Sequence, residues 1–208
     1  MLDTLQRKWL DLVCPGYSWN SHWHFFHRLL SGGTIRDIAI LGVYRGRDIA
    51  YMSHALRSSG LRDYRITGID RFSEGPGEDW PDEKRNLTWE EAGYGRPPNL
   101  AAARRNLERA GYLDNVTLIQ GEAEELVRTK GDYDFIYIDI CHDYDTTAKA
   151  IRLAADKARP NAIIGGDDFS DEGTWGVASA VKDRFRRYDL FDNWIWWAGL
   201  GDLQREKL

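Results

Sequence analysis

Four side chains have the types and spacing of a reaction centre: Asp139, His142 three residues later, and the adjacent pair Asp167-Asp168. Three carboxylates drawn to one place repel one another unless they are protonated, paired with Lys or Arg, or bridged by a cation. A divalent ion is one physical solution, and all-oxygen ligation favours magnesium, calcium or manganese over zinc. The competing reading is that these aspartates cap helices at strand-to-helix turns. His142 could be an ordinary loop residue, but its place just beyond a candidate ligand suits a general base.

A second constellation is Gly42-Val43-Tyr44-Arg45-Gly46 with Asp70 downstream. Glycine in such a turn lets backbone approach a nucleotide-like ligand, and an acid ending the next strand commonly accepts hydrogen bonds from ribose hydroxyls. Glycine also serves turns without ligands, so the pairing carries more than either part. A P-loop is excluded, because Gly-Lys-Ser/Thr does not occur. A third group, His22, His24 and His27, looks like a zinc site until it is placed on a helix. There His24 and His27 share a face and His22 does not, and packing among Trp23, Phe25 and Phe26 or contact with a substrate accounts for them better than a metal.

The elements that must position these residues follow from apolar periodicity. Short strands are expected at 37–41, 64–70, 116–120, 133–140 and 161–165, and helices at 48–59, 100–111, 122–129, 146–157 and 176–187. Alternation of this kind implies crossover connections and a doubly wound, mostly parallel α/β sheet. Residues 188–200 read as a hairpin turning at Asp192-Asn193, an antiparallel edge on that sheet. Apart from the three N-terminal histidines, the chemical residues above then fall at carboxyl ends of strands, where open α/β sheets bind ligands. A helical stretch at 21–30 precedes the first strand, within an N-terminal extension taken as 1–34. Residues 72–99, rich in Gly, Pro, Trp and acids, lack any period and read as a lid or binding loop. Without repeats or linkers, the whole of 1–208 is expected to be one domain.

Composition narrows the partners. With 28 Lys+Arg against 33 Asp+Glu the net charge is −5, which argues against a generic binder of nucleic acid or anionic membrane. No apolar run is long enough to span a bilayer. The two cysteines, Cys14 and Cys141, lie outside any paired metal spacing and fit a reducing compartment. Met1 to Leu10 is charged and lacks the unbroken apolar core of a secretion signal, so a cytoplasmic protein is expected.

The order and spacing of Gly42-Val43-Tyr44-Arg45-Gly46, Gly68-Ile69-Asp70, Phe135-Ile136-Tyr137-Ile138-Asp139, His142 and Gly165-Gly166-Asp167-Asp168 resemble the magnesium-dependent sugar O-methyltransferases of the macrocin type. These are class I S-adenosylmethionine-dependent methyltransferases with a Rossmann-like fold, and the cephalosporin-hydroxylase-like proteins look similar. The resemblance runs from about Asp37 to Phe185. It implies that Asp139, Asp167 and Asp168 bind magnesium or another hard divalent cation and that His142 is the base. It implies further that Gly42, Tyr44, Gly46, Asp70, Asp139 and Glu122, the last within Gly121-Glu122-Ala123, hold the cofactor, and that 72–99 is the variable lid.

The expected reaction is methyl transfer to a hydroxyl of a small acceptor. A vicinal diol on a sugar or glycoside, or a catechol, suits a divalent ion, and Trp80, Trp89 and Tyr94 suit a ring. A homo-oligomer is an open option; neither nucleic acid nor membrane is an expected partner. Two departures from the family pattern stand out: Ile40 where an acid usually helps hold the methionine end of the cofactor, and Arg47 where a small residue is usual. Ile40 argues for a rival, a binding protein on the same fold without transfer activity. A second rival, an iron oxygenase, would need two histidines and a carboxylate at an open metal position.

Overall fold

The computed structural model describes all residues except 1, 16–19, 74–83, 85, 174 and 208. Seven strands form one sheet: β1 (Asp37–Leu41), β2 (Arg65–Asp70), β3 (Val116–Gln120), β4 (Tyr133–Ile138), β5 (Ala158–Gly166), β6 (Asp189–Phe191) and β7 (Ile195–Gly199). Their spatial order is β3-β2-β1-β4-β5-β7-β6. The first five run parallel, and β7 pairs antiparallel with both β5 and β6. This is the expected Rossmann-like sheet with an antiparallel C-terminal hairpin. Its strand order reverses between β1 and β4, which places a ligand crevice beyond their carboxyl ends.

The strands form where the sequence runs apolar on both faces. All five residues of β1 are buried, as befits a parallel strand covered on both sides. Asp192 and Asn193 adopt φ of 51° and 63°, left-handed conformations that Asp and Asn tolerate, in the three-residue loop 192–194 between the paired Phe191 and Ile195.

The helices are α1 (Leu2–Val13), α2 (Asn20–Leu30), α3 (Arg47–Ser58), α4 (Leu100–Arg109), α5 (Glu125–Arg128), α6 (Tyr144–Lys157) and α7 (Val177–Arg184). Asn99 and Asp143 cap α4 and α6, each side chain accepting from the backbone N–H three residues on. The crossover helix expected over 122–129 is a single turn, α5, and β5 begins three residues earlier than its apolar run, at Ala158 ahead of Pro160.

Two apolar layers cover the sheet. One joins α1, α2 and α3 to Ile38, Ile40, Phe135 and Tyr137; the other joins α6 and α7 to Ile136, Ile138, Ile164 and Trp196. The helices before β1 therefore pack onto the sheet: Phe26 lies edge-on to Tyr137 at 5.1 Å and Phe25 is 5.4 Å from Trp197. Arg47 acquires a structural role here, donating from Nε to the Cys14 carbonyl at 2.8 Å and so tying α3 to the end of α1. Neither cysteine is in a disulfide, and burial pushes the Cys14 thiol up to about 12. Among the described residues, no helix is long and apolar enough to cross a membrane.

Candidate active site

The glycine turn leaves β1 against β4. Gly42 has φ 91°, and a Cβ there would lie 1.6 Å from the carbonyl oxygen of Asp139, so only glycine allows the two strand ends to meet. Gly46 precedes α3 at φ 90°, with Leu107 3.2 Å from where its Cβ would be. Both glycines are thus required by packing and conformation alone.

Asp70 organises the turn. Its Oδ2 accepts from the backbone N–H groups of Val43 and Tyr44, each at 2.8 Å, and its Oδ1 accepts from Phe72 N–H at 2.6 Å. A carboxylate oxygen accepts about two hydrogen bonds, which leaves Oδ1 room for one further donor, such as one ribose hydroxyl rather than two. Tyr44, with φ 52°, sends its hydroxyl to the carbonyls of Arg96 and Tyr94, and its ring lies 5.7 Å from Trp89. Arg45 adds a hydrogen bond to the Pro97 carbonyl at 3.1 Å. The described part of the 72–99 segment is therefore strapped to the glycine turn, and Trp80 lies outside the described residues. Glu122 is exposed in the turn after β3.

The acids gather at the ends of β4 and β5. Asp139, His142 and Asp168 each offer one ligand atom, and these atoms lie within 4.8 Å of one another. His142 Nε2 is 2.8 Å from Asp168 Oδ2. Gly165-Gly166 makes the approach feasible, since a Cβ on Gly166 would sit 2.3 Å from the Ile138 carbonyl and 2.9 Å from Trp196 Nε1. The Asp139 carboxyl is pushed well above the ordinary carboxylate range, first by burial and then by the charges of Asp167, Asp168 and Asp48. A cation would reverse that shift. A cavity of about 10 Å³ between these side chains is lined by Asp139, Cys141, His142, Asp167, Asp168 and Trp196. That is the size of one water-sized sphere. Two carboxylates and an imidazole around it form a donor set suited to a divalent ion.

Asp167 departs from the expected arrangement. The backbone does leave the strand, with Asp168 at φ 56°, yet the two aspartates point to different partners. Asp167 is 8 % exposed, and its Oδ2 accepts from His22 Nε2 at 2.8 Å; the other ring nitrogen of His22 faces Asp48 Oδ1 at 3.2 Å. The group within 4.8 Å consequently contains His142 in place of Asp167. Burial lowers the affinity of His22 for a proton, but Asp48 and Asp167 outweigh it and hold the imidazole well above its ordinary pKa.

The sequence pattern groups His22 with the other N-terminal histidines and gives Asp48 no role, so neither is linked to Asp167 in advance. They lie 145 and 119 positions from Asp167, and no local spacing announces a contact between α2, α3 and the end of β5. Of the other N-terminal histidines, His24 is exposed and His27 bonds to His54 at 3.0 Å. No second histidine joins the Asp139–His142–Asp168 group, so the ligand set of the oxygenase rival is not assembled among the described residues.

An aromatic wall borders the acids. Trp175 lies 4.4 Å from the His142 ring, and Trp194, 47 % exposed, is 6.4 Å beyond it.

Solved structures share this architecture. The chain superposes on the O-methyltransferase NovP with a TM-score of 0.66 at 17 % identity, covering 86 % of this chain and 79 % of that one. For an O-methyltransferase from Bacillus cereus in complex with SAH the values are 0.61 and 15 %, covering 92 % and 88 %. For TomG from Streptomyces achromogenes, an O-methyltransferase of tomaymycin synthesis in complex with SAM, they are 0.58 and 13 %, covering 90 % and 86 %. At such identities the likeness establishes the fold. No curated protein is detectably similar in sequence. The family described as a methyltransferase domain matches residues 40–169, from β1 through the Asp167-Asp168 pair, and with that span covering most of the chain, this protein belongs to the methyltransferase-domain family.

Proposed function

We propose that the protein transfers a methyl group from S-adenosylmethionine to a hydroxyl of a small acceptor, assisted by a divalent cation. The observation that carries this reading is the Asp139–His142–Asp168 group, set at the strand ends directly against the Gly42 turn. Structural neighbours crystallised with SAH or SAM support the choice of cofactor. Here the cofactor would be held by the turn from Gly42 through Tyr44 to Gly46, by Asp70 through its remaining acceptor site, and by Asp139 and Glu122 at the neighbouring strand ends. Asp139 and Asp168 would hold the cation, with Asp167 beside them.

S-adenosylmethionine supplies an already activated methyl group, so the protein's work is to position the acceptor and make its oxygen nucleophilic. A bound divalent cation lowers the pKa of a hydroxyl beside it. His142 would take up the acceptor's proton, and Asp168, whose Oδ2 lies 2.8 Å from Nε2, would stabilise the resulting imidazolium. Trp175 beside His142, with Trp194 next to it, and Trp89 beside Tyr44, with Tyr94 next to it, suit a flat acceptor carrying vicinal hydroxyls, a catechol or a sugar ring.

Ile40 favours one alternative, a binding protein on the same fold without transfer activity, because its side chain is wholly buried in the core and offers no acceptor to the ammonium group of the cofactor. Calorimetry with S-adenosylmethionine, with and without magnesium, followed by label transfer to a catechol and to a methyl glycoside, separates the readings. Binding together with magnesium-dependent transfer is expected. Absence of S-adenosylmethionine binding would overturn the transfer reading and favour the alternative, because only transfer requires that cofactor, and transfer that does not depend on magnesium would overturn the role of the cation.

A further inference from the structure

The site's acids are reached from behind by a residue of the N-terminal helices. His22 is 1 % exposed, and its two ring nitrogens face carboxylates from two different elements: Asp48 in the first turn of α3 at 3.2 Å, and Asp167 at the end of β5 at 2.8 Å. A carboxylate oxygen can only accept, so both nitrogens donate and the ring is clamped in one orientation. Phe26 and Tyr137 close the remaining sides at ring separations of 6.0 and 6.2 Å. The turn so gripped is the one that presents Asp168. Asp167 N–H donates to the Ile138 carbonyl at 3.2 Å and Phe169 N–H to the Trp194 carbonyl at 2.9 Å, so the backbone on both sides of Asp168 is pinned while Asp168 itself holds φ 56°.

We propose that His22 is a positioning residue: through its hydrogen bond to Asp167 it fixes the β5 turn and thereby the placement of Asp168 toward Asp139 and His142. The consequence for the cation rests on the proposed function; the consequence for the turn does not. Residues that orient ligands from behind are typically worth 10–100-fold in metal affinity. The bond to Asp167 carries the effect, and the bond to Asp48 anchors the ring to α3.

Two conservative variants separate these bonds. The amide nitrogen of glutamine can occupy the place of Nε2, and that of asparagine the place of Nδ1. His22→Gln therefore keeps the donor toward Asp167, and His22→Asn keeps the donor toward Asp48. Hydrogen exchange is read at the amides of Asp167 and Phe169, and Mn²⁺ affinity by the loss of the free-ion electron paramagnetic resonance signal, both on the full chain with SAH present and absent. In His22→Asn the turn amides are expected to exchange at least ~10-fold faster and Mn²⁺ to bind ~10–100-fold more weakly. His22→Gln is expected to stay within about threefold of the parent in both.

A residue that merely fills the core would make the two variants alike, and equal exchange at the turn overturns the proposal. If the parent binds no Mn²⁺, the cation-assisted reading fails and the exchange comparison still decides the role of His22. If neither variant folds, Asp48→Asn, which keeps the ring and its bond to Asp167, takes their place. A turn protected as in the parent then supports the proposal, and a turn that exchanges freely refutes it.

Discussion

The two ends of the parallel sheet treat charge in opposite ways. At the amino ends, Asp37 meets Arg65 at 2.6 Å and Arg159 at 2.7 Å, and Asp134 meets Arg159 at 2.5 Å while accepting the backbone N–H groups of Arg36 and Asp37 at 2.8 and 2.9 Å. At the carboxyl ends, Asp139, Asp167 and Asp168 have no lysine or arginine partner within salt-bridge distance among the described residues; two histidines stand against them. One end satisfies its acids within the chain. The other assembles more negative charge than its own side chains neutralise, the usual signature of a site built for something brought from outside.

Breaking the carboxyl end should cost function before stability. His142→Ala and Asp168→Ala are each expected to lower turnover on a confirmed acceptor by roughly 10²–10⁴, with the melting temperature nearly unchanged. His142→Ala should also remove the acidic limb of the pH–rate profile. A loss under about tenfold for His142→Ala would make that residue a bystander. Next in size, Asp70→Ala should weaken SAH binding in calorimetry by about 1.5–3 kcal/mol, because two backbone donors of the glycine turn and the Phe72 N–H just after β2 lose their acceptor together.

The sharpest contrast is one of sign. Asp139→Asn should abolish transfer yet raise the melting temperature by roughly 2–4 °C, the shift that ~1 kcal/mol brings in a chain of this length. Arg159→Met at the other end should lower it by a similar amount and leave turnover alone; its partly exposed pairs are discounted to about 1 kcal/mol. The smallest effect is on pH dependence. Burial would raise the Asp134 carboxyl, but hydrogen bonds from Asp37 N–H, Arg159 and Arg36 N–H prevail and hold it below the usual range. Its contribution is complete above the ordinary value of about 3.9 and fades as pH falls through the depressed one. Asp139 is raised, so its ionisation costs stability as pH climbs from ~3.9 toward the folded value. Melting curves should therefore show Asp139→Asn matching the parent near pH 4 and exceeding it at neutral pH, whereas the deficit of Asp134→Ala shrinks in acid.

The parallel strands were legible because burial on both faces leaves short apolar runs, and 37–41 and 116–120 coincide with β1 and β3 residue for residue. Asp192-Asn193 fixed the hairpin for a local reason as well, tolerance of left-handed backbone. The crossover after β3 misled because Leu126 and Val127 continue an apolar pattern that the chain folds as one turn, with Leu126 buried and Val127 exposed. Within the site, Asp139, His142 and Asp168 could be found from their places at strand ends. The direction of Asp167 could not, because it depends on His22, a partner on another element with no pattern linking the two. The bond of the Tyr44 hydroxyl to the carbonyls of Tyr94 and Arg96 is a second contact across elements that no local pattern announces.

The φ of 56° at Asp168 has a bearing on how this sequence could change. Glycine adopts such a backbone freely, whereas a side chain there costs about 1 kcal/mol, and two glycines already stand just before it at 165 and 166. A campaign selecting only for heat tolerance, or a design method choosing residues by backbone preference, would drift toward glycine at this position. The resulting proteins would express well and melt late, and would have discarded a carboxylate on which the proposed cation site depends.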